Sequence, residues 1–204
     1  MNILVALSGG VDSSMTALLL KEEGHHVETI TFKFSSANEH HIIDAQNFSK
    51  NHDFTHHVIE AVDEFNELVI DPFCESYLQG KTPNPCIECN PKMKFAKLIS
   101  YAIDHNFDRV ATGHYCSLHE SDIPDTQKRY FIRRSKDDNK DQSYFLSRLN
   151  QNQLQHLLFP LSSFSKHEVQ AMAQEKKLSV AKKPESQEIC FIPDDDYSRF
   201  LRER

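Results

Sequence analysis

An apolar run, Ile3 to Leu7, passes directly into Ser8-Gly9-Gly10-Val11-Asp12-Ser13, and that hexapeptide opens a second apolar run, Met15 to Leu20. The order predicts a strand, a glycine loop and a helix, which suits phosphate binding. Paired glycines let the backbone turn tightly and bring its N–H groups close to an anion, while the start of a helix adds unpaired donors and a partial positive charge. Ser8 and Ser13 can add hydroxyl donors. The pattern differs from GxxxxGK[ST], because the loop is shorter and no lysine follows the glycines. Asp12 suits an anion site only if a cation accompanies the anion, so it reads as a ligand to the Mg²⁺ that travels with a nucleotide. A plain glycine turn capped by Asp12 is the alternative that these six residues leave open.

The string SGGVDS resembles the pyrophosphate loop of the ATP pyrophosphatases, which cleave ATP between its α and β phosphates and leave AMP on a substrate. That resemblance implies an adenine nucleotide alpha hydrolase-like fold and adenylation chemistry. It leaves the substrate open.

The rest of the chain extends the alternation. A helix is expected from Ser13 to Glu23, ended by Gly24, then a strand from Val27 to Phe34, a helix from Glu39 to Asn51 and a short strand from His57 to Ile59. Asp63 is expected to cap a helix running to Leu78. Strands alternating with helices imply parallel pairing and crossovers, hence a doubly wound, mostly parallel α/β sheet. In such sheets ligands sit beyond the carboxyl ends of the strands, where Ser8 to Asp12 falls. Pro83 and Pro85 read as a loop that continues through Cys86 and Cys89 to Pro91, with a helix resuming from Lys92 to Asn106. A fourth strand, Arg109 to Thr112, precedes Gly113-His114-Tyr115. A hairpin follows, with a turn near Ser121 to Gln127 and a return strand from Arg129 to Arg134. Helices are expected from Lys140, over Gln151 to Leu157, over Lys166 to Lys176, and from Asp196 onward.

With 204 residues, 39% hydrophobic and 26% charged, the chain can hold one α/β domain with a proper core. No apolar run approaches a bilayer span and the start leads straight into a strand, so a cytoplasmic protein without a membrane partner is expected. The five cysteines read as thiols with jobs rather than as a disulfide framework. A net charge of −7 excludes a broadly nucleic-acid-coating surface and requires any such site to be a local patch. Lys128 to Lys136, KRYFIRRSK, offers one, with five basic residues and two aromatics in nine positions. A basic hairpin edge is its bland alternative. Histidines come largely as neighbours, His25-His26, His40-His41 and His56-His57, which point apart and read as solvated surface.

Cys86 and Cys89 form a Cys-x-x-Cys pair, a spacing used by zinc sites, iron–sulfur clusters and redox dithiols alike. Cys74 and Cys116 read as small buried hydrophobes. Taken together, GKTPNPCIECN (Gly80 to Asn90), ATGHY (Ala111 to Tyr115), KDQSYFL (Lys140 to Leu146) and SQEICFI (Ser186 to Ile192) follow SGGVDS in the order of the tRNA-specific 2-thiouridylases, which the chain resembles over nearly its whole length. That family makes 2-thiouridine at the wobble position of certain tRNAs. The resemblance implies ATP binding by Ala6, Leu7, Ser8, Gly9, Gly10, Val11, Asp12 and Ser13, with Phe32 beside the adenine and Gly113 also in contact. Cys89 matches the family's nucleophile and Cys190 its persulfide-bearing cysteine. Asn84, Pro85 and Cys86 would approach the target base, and Lys140, Asp141 and Gln142 would touch tRNA. A persulfide donor protein is an implied partner.

The chemistry is coherent with those roles. Uridine O2 is a poor leaving group until AMP is attached, after which a sulfur nucleophile can replace it at C2. A persulfide route then needs two thiols that meet in space and close a disulfide. Lys81, Lys92 and Lys94 are expected to favour the Cys89 thiolate. A second route stays open, in which Cys86, Cys89 and Cys190 hold a [4Fe–4S] cluster with one iron free for sulfide.

The sequence departs from the family in three ways. Many members carry aspartate where this chain has Cys86. The stretch before Asp44-Ala45 is short and lacks acidic and cysteine residues common there. The family's chains also continue into a central domain and a terminal β-barrel, so residues 1–204 are expected to be the catalytic domain, with 140–204 as a helical extension and a partner supplying the missing tRNA contacts. Two alternatives share these features: a domain-reduced thiolase acting on another RNA position or a small molecule, and a non-catalytic nucleotide-binding partner subunit.

Overall fold

The computed structural model describes residues 1–35, 39–121, 128–183, 189–192 and 194–204. Along the chain run β1 (Asn2–Ala6), α1 (Val11–Glu22), β2 (His26–Lys33), α2 (Glu39–Asn51), β3 (His56–Glu60), α3 (Val62–Phe65) and α4 (Asp71–Leu78), then α5 (Pro85–Cys89), α6 (Phe95–Asp104), β4 (Arg109–Ala111), β5 (Cys116–Ser121) and β6 (Arg129–Arg134). The last elements are α7 (Gln151–Leu154), β7 (Leu157–Leu158), α8 (Lys166–Glu175) and α9 (Tyr197–Glu203).

The main sheet has the order β3-β2-β1-β4-β7 with every pair parallel, so the doubly wound sheet expected from the alternation is present. Successive β1 residues divide between its two faces. Leu4 packs with Phe95, Leu98 and Phe73 on one side, while Ile3 and Val5 pack with Met15, Phe48 and Val169 on the other. This two-residue period is the physical content of the apolar run. The strand order reverses beside β1, because β2 lies on one flank and β4 on the other. A crevice therefore opens at the carboxyl ends of β1 and β4.

Four expectations need correction. Cys86 and Cys89 lie on helix α5, not in a loop: Pro85 occupies the first turn, where its missing N–H costs nothing, and the Asn84 side chain caps the end by accepting from the Cys86 N–H at 3.1 Å. Pro91 is accommodated by a π turn, Asn90–Lys94, that joins α5 to α6. A second π turn, Asn66–Ile70, joins α3 to α4, and Ala61 rather than Asp63 is the capping residue of α3. Third, the helix expected over Gln151 to Leu157 stops at Leu154, because Leu157 and Leu158 pair with Val110 and Ala111 as the edge strand β7. Two residues are too few to show a period. Likewise the helix expected from Lys140 shrinks to one 3₁₀ turn, Ser143–Leu146. The turn expected near Ser121 to Gln127 lies mostly outside the described residues.

His56 departs from the solvated-surface reading. Its Nδ1 is 2.8 Å from the Thr29 hydroxyl, which is 2.9 Å from that of Ser49, and burial lowers its pKa to about 4. Burial lowers His114 to about 3, and its Nδ1 lies 2.8 Å from the Thr112 hydroxyl. Both imidazoles bind fewer protons folded than unfolded. Their contribution to stability is therefore in place above the ordinary 6.5 and is lost as the pH falls through that value toward 4 and 3. We expect a lower Tm at pH 5 than at pH 7.5, and a smaller difference for His56→Gln. Calorimetry showing equal slopes for the two proteins would remove His56 as a contributor.

Candidate active site

The loop after β1 is built by backbone constraints. Leu7 donates its N–H to the Ile30 carbonyl at 2.8 Å and accepts the Thr31 hydroxyl at 2.7 Å, which fixes where the turn begins. Gly9 takes a φ of +71°, and a Cβ there would stand 2.6 Å from the His41 carbonyl oxygen, so glycine is required by both conformation and space. Ser8 N–H donates to the Ser13 hydroxyl, and the two hydroxyls lie 3.1 Å apart. Gly10 is the N-cap of α1 and offers no side chain to cap it. From the other side of the crevice comes Gly113, where a Cβ would meet the Asp12 carbonyl carbon and the Ser13 nitrogen at 2.8 Å. The loops after β1 and β4 thus close on the first turn of α1, forming a cradle of backbone donors and hydroxyls that fits a nucleotide's phosphates. Phe32, expected beside an adenine, is buried near the end of β2 and stacks on Phe34 at 5.7 Å.

Asp12 has partners that the sequence reading missed. Its carboxylate accepts Lys166 Nζ at 2.7 and 2.8 Å and the Tyr115 hydroxyl at 2.8 Å. The loop with no lysine after its glycines therefore receives one from α8. Ser165-Lys166-His167-Glu168 does carry a local signal, since Ser165 and Glu168 form a capping box that sets Lys166 at a helix start. Nothing local says which anion the lysine meets.

Gln142 clamps Tyr115 in turn, donating its N–H to the Tyr115 carbonyl at 2.9 Å and accepting the Tyr115 N–H on Oε1 at 3.0 Å. Burial raises the Asp141 carboxyl, but hydrogen bonds from Ser143 and Ser135 outweigh it and hold the group below its ordinary value. Lys140 lies half-buried in the same segment. A segment expected to touch tRNA is thereby fastened to the phosphate loop through Tyr115.

Cys89 and Phe191, the residue after Cys190, belong to one hydrophobic cluster. Cys86 is exposed and Cys89 buried on α5, while Cys190 is exposed beside Phe191, whose ring meets Phe65 and Phe73 edge-on at 5.7 and 5.3 Å. Asn90 ties α5 to the 143–146 turn by donating to the Phe145 carbonyl at 2.8 Å. The expectation that neighbouring lysines favour the Cys89 thiolate is reversed by burial, which raises Cys89; Cys190 is also raised, to about 11, because neighbouring atoms crowd it although its residue is exposed at the surface. Lys94 opposes the rise at both thiols, whereas Lys92 pairs with Glu88 at 2.9 Å. The Phe95 ring, next to Lys94, lies 5.7 Å from the His114 ring, which brings the helical run that carries Cys89 beside the residue after Gly113. Among the described residues no three His, Cys, Asp or Glu side chains are grouped to hold a metal. The three thiols as arranged therefore do not fit an iron–sulfur cluster.

The basic hairpin β5–β6 is antiparallel, with Arg133 lying over the Phe131 ring at 5.0 Å. Three of its five basic residues meet carboxylates: Lys128 with Glu120, Arg134 with Asp138 and Asp141, and Lys136 with Glu168. Its positive field is weaker than the sequence run suggests. Among the described residues, no helix is long and apolar enough to cross a membrane.

Comparison with known proteins puts names to this arrangement. A family profile described as the tRNA methyl transferase HUP domain matches residues 1–194. A tRNA-specific 2-thiouridylase of Caldicellulosiruptor saccharolyticus is 44% identical over 213 residues, covering 98% of this chain and 58% of its own. One from Salinibacter ruber is 43% identical, covering 99% of this chain and 56% of its own. The chain thus spans somewhat under two thirds of the length of these curated relatives. Among solved structures, a predicted tRNA methyltransferase subunit from Methanocaldococcus jannaschii aligns with a TM-score of 0.52 at 18% identity, over 86% of this chain and 75% of that one. An NH3-dependent NAD synthetase from Campylobacter jejuni aligns at 0.50 with 16% identity, over 100% of this chain and 78% of that one, a likeness of fold alone. With a family profile over residues 1–194 and relatives above 40% identity along nearly all its length, the chain belongs to the tRNA-specific 2-thiouridylase family.

Proposed function

We propose that this chain is the nucleotide-binding and sulfur-transfer domain for ATP-dependent 2-thiolation of wobble uridine in tRNA. The observation that carries the reading is that Cys89 lies on a helical run continuous with Phe95, whose ring meets that of His114 at 5.7 Å, and His114 follows the glycine that closes on the loop. An activated base held at the phosphate cradle would lie within reach of sulfur.

In this scheme the uridine O2 attacks the α-phosphorus of ATP, pyrophosphate leaves, and the C2–O bond becomes breakable. The terminal sulfur of a persulfide on Cys190 attacks C2, and AMP departs with the oxygen. The Cys89 thiolate then attacks Cys190 Sγ, which breaks the sulfur–sulfur bond, leaves the thiocarbonyl on the base and closes a Cys89–Cys190 disulfide. A thiol reductant reopens it, and a donor protein reloads the persulfide. Asp12 would hold the Mg²⁺ that neutralises the phosphates during departure. The persulfide route needs only two thiols. Cys86, exposed one turn from Cys89, would then face the base together with Asn84 and Pro85.

The test is tRNA from cells lacking the gene, in a strain without a second thiolase. Loss of wobble 2-thiouridine by mass spectrometry, restored by the wild-type gene, is the expected result. An unchanged 2-thiouridine level would overturn the reading. Tight retention on tRNA is not expected of residues 1–204 alone, because the net charge of −7 opposes a polyanion and the hairpin's basic groups are largely paired.

A further inference from the structure

The 3₁₀ turn Ser143–Leu146 buries Leu146 in the core but leaves Tyr144 63% exposed. Beside Tyr144 a cavity of about 430 Å³ opens to the surface, lined by Ile132, Leu146, Leu149 and Leu154 and by Ser143 and Ser147. That volume falls within the range of about 300–1,000 Å³ that accommodates small organic ligands. Two side-chain amides fasten this region to the helical run of the thiols: Asn90 Nδ2 donates to the Phe145 carbonyl at 2.8 Å, and Gln153 Nε2 donates to the Pro91 carbonyl at 2.8 Å. Tyr144 therefore stands one residue from the carbonyl that holds the neighbour of Cys89.

Charge at this junction favours an anion. Glu88 on α5 is shared by Lys92, at 2.9 Å, and by Arg148, which follows Ser147. Two cations thus face one carboxylate, and the surplus positive charge suits a phosphodiester. The reaction supplies a reason for an apolar surface next to it. A base becomes accessible to chemistry when it leaves its stack, and the base beside it then loses a partner and turns an apolar face to water. An exposed aromatic ring replaces that lost partner.

We propose that Tyr144 and this cavity form a subsite for the nucleobase adjacent to the target uridine, the ring stacking on the face that the departing uridine uncovers, with Arg148 beside the connecting phosphate. The assignment rests on the tRNA reading above and extends it to a residue and a cavity outside the thiol and nucleotide sites. Stacking tolerates any base, so the subsite would hold the strand in place rather than select its sequence. Holding the neighbour keeps the target uridine turned out toward α5.

A thermodynamic cycle tests this, read by fluorescence anisotropy at low salt between the 204-residue chain and anticodon stem–loop RNAs that are intact or lack one of the two bases flanking the target uridine. Tyr144→Ala should weaken binding of the intact RNA roughly five- to hundredfold, the worth of stacking one base on an aromatic ring, and Tyr144→Phe should stay within about twofold of the wild type. On the RNA that lacks the stacked base, Tyr144→Ala and the wild type should bind alike. Both variants should unfold at the wild-type Tm, because the ring is exposed. Equal loss on the intact and both abasic RNAs overturns the subsite; no loss on any of them also overturns it and leaves the cavity to a protein partner. Absence of any binding of intact RNA by the wild type would instead overturn the tRNA reading beneath it. The wild type also answers without a variant: 2-aminopurine at one flanking position should be quenched on binding, and brightening at both positions refutes the stack.

Discussion

Cys190→Ser is expected to abolish 2-thiouridine formation while leaving tRNA-dependent release of pyrophosphate from ATP near its wild-type rate. Under the proposed scheme adenylation uses residues 8–13 and Gly113, which close on one another, and needs neither thiol. Serine cannot carry a persulfide, so the loss should be on the order of a thousandfold or more, as for an essential nucleophile. Cys89→Ser should fail one step later, with sulfur reaching C2 and remaining tethered to Cys190. A covalent protein–tRNA adduct, released by dithiothreitol, would accumulate in that variant alone. At neutral pH the resting thiols are protonated, because burial raises Cys89, crowding by neighbouring atoms raises the exposed Cys190, and Lys94 only partly offsets either. The thiolate needed for attack must form when substrate closes the crevice or when Cys190 carries its extra sulfur. Thiolated tRNA at wild-type rate from either variant would end the two-cysteine scheme.

Gly9→Ala is the substitution with the largest structural cost. A methyl there would stand 2.6 Å from the His41 carbonyl oxygen and 3.0 Å from Asp44 Cβ, in a backbone held at φ +71°. Left-handed strain costs about 1–2 kcal/mol and overpacking about 1–3 kcal/mol more. For a domain of this size that is a Tm loss of roughly 5–15 °C. Gly24→Ala is the internal comparison: its φ is +82°, but nothing lies within 4 Å of the added methyl. Only the strain of about 1–2 kcal/mol remains, and ATP binding should be untouched. Asp44 is itself held by an ion pair with Lys183, so α2 cannot easily retreat from the loop. Equal Tm losses in the two variants would mean that the loop does not press against α2 as described.

The contrast between the two glycines marks the limit of what local residues reveal. That residues 3 to 20 make strand, loop and helix is legible in the sequence, because apolar period and turn chemistry act between residues a few positions apart. The same holds for the parallel sheet, for the capping box at Ser165 and for Cys86 and Cys89 sharing one neighbourhood. Tertiary packing alone decided the rest. Asp12 meets Tyr115 and Lys166 across 103 and 154 residues, β7 is a strand only because Val110 and Ala111 offer it an edge, and burial rather than nearby lysines sets the acidity of Cys89. Each of these depends on which surfaces of distant elements are pressed together, and on the water they exclude, which no window of neighbouring residues contains.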